Sequence, residues 1–203
     1  MANAVETAAT EGDFDKERND SSGYLPGEPS MWFFIIGDLL IFGVYFVCYV
    51  IYRGQNHGLF LQSQQHLNQK IGLINTVILL TSSLFVALGT EAVRESKRSD
   101  AFRLFGAAAA VGAVFPLLKM VEWVPEVNAG LTPGSNIYFM FYYVMTGLHL
   151  IHVLVGVTII GFVMRNIRVS VQPNIRFIET GAIYWHMVDV LWLVLFAVFY
   201  LMR

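Results

Sequence analysis

One stretch near the C-terminus decides the fold: Ile183-Tyr184-Trp185-His186-Met187-Val188-Asp189-Val190-Leu191-Trp192. It lies within an apolar segment, Glu179 to Met202, that is long enough to cross a bilayer as a helix. His186 and Asp189 are three residues apart, so they lie on one helix face and can share a partner. Glu179 continues that face toward the helix start. Because ionisable groups are costly against lipid, we expect this face to point toward other helices or water.

The composition is that of a membrane protein. The chain has 203 residues, of which 56% are hydrophobic and 14% charged, and its mean hydropathy is +0.56. Five apolar segments predict an all-α, polytopic bundle of five transmembrane helices. The predicted spans cover residues 31–53, 70–93, 101–123, 136–164 and 179–202. A net charge of −2 without a basic cluster gives no indication of a nucleic-acid partner. The single cysteine, Cys48, excludes an intrachain disulfide and a cysteine metal cluster.

The N-terminal segment differs from the rest of the chain. Residues 1–28 contain seven acidic residues against Lys16 and Arg18, which predicts a disordered acidic tail. Because a basic start followed by an apolar core is missing, we expect no cleaved signal peptide. Ser30 is the predicted N-cap of the first span. The transmembrane domain is therefore predicted to cover residues 29–203.

The basic residues between the spans predict the orientation. Nine Lys and Arg residues lie on the side of the N-terminus, three lie on the other side, and Lys119 lies inside a span. The positive-inside rule then places the N-terminus in the cytoplasm and the C-terminus outside, in the periplasm of a bacterium.

Polar side chains within the spans form the candidate site. We expect a buried polar network, because buried polar groups usually satisfy one another. The spacing of three allows Lys119 to pair with Glu122. The predicted orientation places His149 and His152 of the fourth span near mid-depth, so we expect contact with His186 and Asp189 of the last span. The predicted members of the network are Asp38, Asn75, Glu122, His149, His152, Trp185, His186 and Asp189.

The residues alone leave other functions open. Histidines and buried carboxyls can bind and release protons near neutral pH, so the buried groups could take part in proton movement. One such function is an independent proton-coupled carrier that uses Asp38, Glu122 and Asp189. A small membrane cytochrome would hold one haem b between His186 and a histidine of the fourth span. A metal site of His149, His152 and Asp189 has no diagnostic spacing.

Four motifs, taken in order, resemble those of one family. Tyr184–Trp192 resembles the signature W-H-[FM]-x-D-[VL]-x-W, and Thr146–Val153 resembles G-x-H-x-x-H. Glu122-Trp123 and Asn75-Thr76 resemble two further elements of the pattern. Over residues 29–203 the chain resembles subunit III of the haem-copper oxidase superfamily, in the five-helix bacterial form.

This resemblance implies a multi-pass protein of the bacterial inner membrane without catalytic residues or bound haem or copper. Those cofactors belong to a catalytic partner subunit, beside which subunit III packs, carries structural phospholipid and supports proton uptake. Asp38 stands where the family usually has a buried glutamate. The segment Pro26–Phe34, followed by Gly37-Asp38, is most similar to the NorE-type branch, which is associated with nitric oxide reductase.

Overall fold

The computed structural model describes residues 29–170 and 173–202, and all regular structure within these ranges is helical. The predicted tail, residues 1–28, lies outside them. The elements are α1 (Pro29–Gln55), α2 (His57–Gln64), α3 (Gln69–Arg94), α4 (Arg98–Gly112), α5 (Val114–Asn128), α6 (Ile137–Val169), α7 (Ile175–Phe196) and a terminal π-helix (Ala197–Leu201).

The prediction of an all-α bundle with five spans is confirmed. The described residues contain five helical segments that are long and apolar enough to cross a membrane. They are Ser30–Gln55, Gln69–Arg94, Arg98–Asn128, Ile137–Val169 and Ile175–Leu201. The fourth has 33 residues. At 1.5 Å per residue this is about 50 Å, against about 30 Å of hydrocarbon, so α6 tilts or extends beyond the bilayer.

Asparagine side chains cap three of the helices. The Oδ1 atoms of Asn68, Asn136 and Asn174 accept backbone N–H groups of the first turns of α3, α6 and α7. The predicted cap at Ser30 is wrong, since α1 already begins at Pro29. Proline suits the first helical position because its φ is preset and its missing N–H would have no helical partner there.

The third span consists of two helices that meet at Ala113. Pro116 lies in the first turn of α5 and has no N–H to bond back into α4, which explains the interruption at this point. The sequence also predicts that the span ends at residue 123, with Pro125 in the following loop. This is wrong: Pro125 lies inside α5, which continues to Asn128.

The connection after the first span is likewise more ordered than predicted. Residues 54–69 read as a polar surface loop, but the structure contains α2 there, with Phe60, Ser63 and Gln64 buried. The Phe60 ring packs against the rings of Tyr49 and Tyr138. Burial of these side chains provides the tertiary contacts that stabilise a helix of only eight residues.

The last span is the centre of the bundle. Within the most apolar stretch of the last span, 67% of the residues are buried inside the bundle. The corresponding share in the first span is 17%. α7 packs against α3 and α6, and α3 packs against α4. The Trp185 ring lies where α4 and α6 carry glycines, because a Cβ at Gly112 or Gly156 would be 2.7 Å from the indole. The absence of two side chains therefore creates the space for this tryptophan.

Candidate functional site

A fully buried ammonium group lies between the third, fourth and fifth spans. Lys119 is 0% exposed, and its Nζ donates to Glu122 Oε2 at 2.8 Å and to the hydroxyls of Tyr142 and Tyr200 at 3.0 Å each. The Tyr200 hydroxyl in turn donates to Glu122 Oε1 at 2.5 Å. The three protons of the ammonium group thus meet three acceptors, which offsets much of its desolvation.

The π-helix places Tyr200 in this cluster. In a π-helix the backbone hydrogen bonds join residues five apart, instead of four apart as in an α-helix. Side chains from other helices donate hydrogen bonds to the backbone carbonyls of this π-helix. Gln64 Nε2 donates to Phe199 O at 2.9 Å and Gln69 Nε2 to Tyr200 O at 2.6 Å. The Tyr138 hydroxyl also reaches Phe199 O, at 3.2 Å. The end of the last span is therefore fixed from α2, α3 and α6.

A second polar contact joins α1 to α6. His152 Nε2 lies 3.1 Å from Asp38 Oδ2, and His152 Nδ1 lies 2.8 Å from the carbonyl of Leu148. Since a carbonyl only accepts, Nδ1 carries a proton. A hydrogen bond between Nε2 and the carboxyl then requires one further proton, on either the ring or Asp38. In both cases the pair is neutral overall, as suits its position in a membrane span.

His186 and Asp189 of α7 share a partner, which is Ser83 of α3. The Ser83 hydroxyl lies 2.6 Å from His186 Nδ1 and also interacts with the Asp189 carboxyl. Glu179, on the same face of α7, forms an ion pair with Arg94 at 2.9 Å. The expectation that this face points toward another helix is confirmed.

Three further predicted residues are buried without such partners. His149 is 0% exposed and packs against the rings of Phe115 and Trp192, with centroids 5.4 Å and 5.3 Å away. Within the described part of the chain, neither ring nitrogen of His149 has a hydrogen-bond partner, nor do the amide of Asn75 and the indole N–H of Trp185. These residues fill space between helices in the structure.

The eight predicted residues thus lie in separate places and do not form one network. Asp38 meets His152, and His186 and Asp189 meet Ser83, while Glu122 meets Lys119. Among residues 29–170 and 173–202, no three His, Cys, Asp or Glu side chains form a group that could hold a metal ion. His149, His152 and Asp189 therefore do not come together as a metal site.

Sequence reasoning missed several partners in these clusters. Ser83, Tyr142 and Tyr200 are each separated by at least 23 residues in sequence from a group that they contact. No local spacing identifies them. The spacing of three between Lys119 and Glu122 did predict their ion pair, because it places both side chains on one face.

Comparison with known proteins gives the family. The family model "Cytochrome c oxidase subunit III" matches residues 27–203. The cytochrome c oxidase subunit 3 of Thermostichus vulcanus is 31% identical over 173 residues, which cover 83% of this chain and 84% of the relative. That of Corynebacterium diphtheriae is 31% identical over 179 residues, covering 84% and 85%. The heme-copper oxidase subunit I+III of Aeropyrum pernix is 27% identical over 181 residues, covering 85% of this chain and 22% of the relative.

The region matched by the family model includes all five spans and the polar clusters between them. The motifs on which the resemblance rests, including His149, His152, His186 and Asp189, lie inside the matched region. The chain belongs to the cytochrome c oxidase subunit III family of the haem-copper oxidases, whose members are non-catalytic membrane subunits.

Proposed function

We propose that this chain is the subunit III of a respiratory haem-copper complex and packs beside the catalytic haem-containing subunit. The observation that carries the proposal is the family match over residues 27–203. The name of the Aeropyrum relative, subunit I+III, supports a close association of the two kinds of subunit. Haem and copper reside in the partner, and this chain binds neither. The complex resides in the bacterial inner membrane, with the N-terminus of this chain in the cytoplasm.

The chain stabilises its partner and supports proton uptake there. Two features support this role. The Asp38 carboxyl and the His152 imidazole, 3.1 Å apart, form an ionisable pair between α1 and α6. The outer face of α1 carries large apolar side chains, such as Phe33 at 81% and Leu40 at 64% exposure, that suit lateral contact with lipid or protein.

Phospholipid is a further structural component of the proposed complex. Arg98, Arg103 and Arg168 line a cavity of about 320 Å³ whose apolar wall includes Phe102 and Ile167. Guanidinium groups above an apolar wall suit the phosphate and acyl chain of an anionic phospholipid. Phosphorus analysis of the purified complex tests this. The double variant Arg103→Gln/Arg168→Gln is expected to retain less phospholipid than the wild type.

The partner reduces either oxygen or nitric oxide. The names of the relatives favour a cytochrome c oxidase, whereas the segment Pro26–Phe34 with Gly37-Asp38 favours the NorE-type branch. The two are separated by turnover of the purified complex with each gas. Nitric oxide consumption without oxygen consumption would assign the chain to a nitric oxide reductase.

Affinity purification in mild detergent tests the role itself. The tagged chain is expected to co-purify with a larger haem protein, and the chain separated from that protein is expected to be colourless. Membranes that carry the same tag on an unrelated polytopic protein serve as the control. Haem or copper retained by the separated chain would overturn the proposal in favour of a small cytochrome. Proton flux driven by pH in proteoliposomes of the isolated chain would favour a carrier.

A further inference from the structure

A cavity lies between α3 and α7, at the end of the bundle where α3 finishes. Its volume is about 180 Å³, enough for several water molecules. Each helix contributes residues three and four apart, so the cavity follows one face of each helix. The lining residues are Ala87, Thr90, Glu91 and Arg94 of α3, and Glu179, Ala182, Ile183 and His186 of α7.

The lining favours water over an acyl chain. Five of the eight lining side chains are polar or charged. The Arg94–Glu179 ion pair lies at the mouth, where the Arg94 side chain is 50% exposed. Charged groups beside lipid are costly, whereas a hydrated cavity solvates them.

The inner end of the cavity leads to a buried carboxyl group. His186 lines the cavity, its Nδ1 lies 2.6 Å from the Ser83 hydroxyl, and Ser83 interacts with Asp189. Asp189 is 6% exposed, and its Oδ1 has no hydrogen-bond partner among the residues that the structure describes. A buried carboxyl oxygen without a protein partner usually binds an ordered water molecule or carries a proton.

We propose that this cavity is a water-filled crevice, open on the Arg94 side of the membrane, through which protons reach the Asp189 carboxyl. The Asp189 carboxylate gains one proton, and a water molecule or hydronium ion in the crevice loses one, so the step needs no other reactant. His186 and Ser83 lie between the water and the carboxyl. The charged groups that face this route are Glu91 and Arg94 from α3 and Glu179 from α7. The proposal concerns only residues of this chain and goes beyond its role as a subunit III.

Cysteine labelling in membrane vesicles containing the assembled complex tests whether the crevice holds water. In a Cys48→Ser background, Ala87→Cys and Thr90→Cys line the crevice. Leu88→Cys is the matched control on the outer face of α3, at similar depth, where the native leucine is 48% exposed. A membrane-impermeant cationic methanethiosulfonate is expected to react at the crevice positions at least about tenfold faster, because thiolates form poorly beside lipid.

Three results would overturn the crevice. The first is equal reactivity at crevice and control positions. The second is labelling from the opposite side of the membrane, which comparison of inverted and right-side-out vesicles reveals. The third is labelling that appears only after the catalytic subunit has been stripped away, since this would mean that the partner fills the groove. Co-purification with the partner is measured separately, so a failure here is distinguishable from a failure of the proposed function.

A plug variant tests the connection to the inner end. Ser83→Cys is expected to react slowly with a small methanethiosulfonate, and Ala87→Phe is expected to slow that reaction further. Leu88→Phe, which adds the same ring on the outer face, is expected to leave the rate unchanged. Equal rates with both phenylalanines would contradict a route through the crevice.

Infrared difference spectroscopy of the whole complex tests the proton step. After a pH change, wild type is expected to show a carboxyl signal that is missing in Asp189→Asn and delayed in Ala87→Phe. Identical difference spectra for wild type and Asp189→Asn would show that protons do not reach this carboxyl. That result would overturn the proposal even if the crevice proved wet.

Discussion

At the scale of single residues, the bundle tolerates a buried cation because every proton of that cation has an acceptor. Lys119 bonds to Glu122, Tyr142 and Tyr200, and its Nζ also lies 5.2 Å from the centroid of the Trp192 ring. A buried ion pair such as Lys119–Glu122 contributes little net stability while both partners are present, because desolvation offsets their attraction. Removal of one partner, however, leaves a desolvated charge behind.

Lys119→Met is therefore expected to destabilise the protein by about 3–5 kcal/mol, since Glu122 loses its counter-charge. Adding Glu122→Gln should restore most of the loss, because the double variant contains neither charge of the Lys119–Glu122 pair. Thermal unfolding of the purified complex in detergent, followed by size-exclusion chromatography, measures both. The control is Lys70→Met, which changes an exposed lysine. A double variant no more stable than Lys119→Met alone would contradict the pairing.

Ser83 illustrates a residue whose importance comes from its partners. Ser83→Ala removes the hydroxyl shared by His186 and Asp189 and is expected to cost about 1–3 kcal/mol, because buried polar groups lose a partner. Thr81→Ala is the control, since the Thr81 hydroxyl donates to Val77 O of its own helix at 2.7 Å. The midpoint of thermal unfolding should fall for the first variant and stay near wild type for the second. Equal midpoints would mean that Ser83 does not join α3 to α7.

At the scale of the helices, the positions of small residues decide which helix faces pack against each other. The Trp185 ring occupies the space left by Gly112 of α4 and Gly156 of α6. Ser82 adds a hydrogen bond from α3 to Ala108 O of α4 at 2.8 Å. Small residues at such positions allow helices to pack tightly in a membrane.

Gly156→Ala is expected to destabilise the bundle by about 1–3 kcal/mol, because the new methyl group overlaps the indole ring. Gly161→Ala is a matched control in the same helix, since a Cβ there meets nothing within 4 Å. The yield of assembled complex and the midpoint of unfolding distinguish the two. If both variants behaved alike, the ring would not be confined by α6.

The π-helix provides a second prediction at this scale. Gln64→Ala removes the donor to Phe199 O and is expected to cost about 1–2 kcal/mol. Gln65→Ala, at an exposed neighbouring position, is the control. Limited proteolysis of the C-terminal end should accelerate only for Gln64→Ala, because the terminal turn loses one of its anchors. Unchanged proteolysis would indicate that the remaining donors hold the turn.

At the scale of the whole molecule, five spans predict that the two termini lie on opposite sides of the membrane. The distribution of basic residues predicts a cytoplasmic N-terminus. Alkaline phosphatase fused after Arg203 is therefore expected to be active, and green fluorescent protein at the same position dark. The same fluorescent protein fused to the N-terminus is expected to be bright and serves as the control. The reverse pattern would contradict the predicted orientation.

Much of the architecture followed from local sequence. Apolar length predicted five spans, and the spacing of His186, Asp189 and Glu179 predicted one buried face of the last helix. Errors arose where tertiary contacts override local signals. α2 forms in a polar connection because Phe60 and Gln64 are buried by distant residues. Pro125 stays inside α5, although proline is the usual mark of a helix end.

By itself, the sequence determined that this chain is a five-span, all-helical member of the subunit III family, because apolar length and motif order are local properties. Only the tertiary structure decided how the polar residues are grouped. Ser83 meets His186, Asp38 meets His152, and two tyrosines meet Lys119, across separations that no helical period encodes. Those pairings depend on which helix faces pack together and in what register, and packing at Gly112, Gly156 and the π-helix sets both.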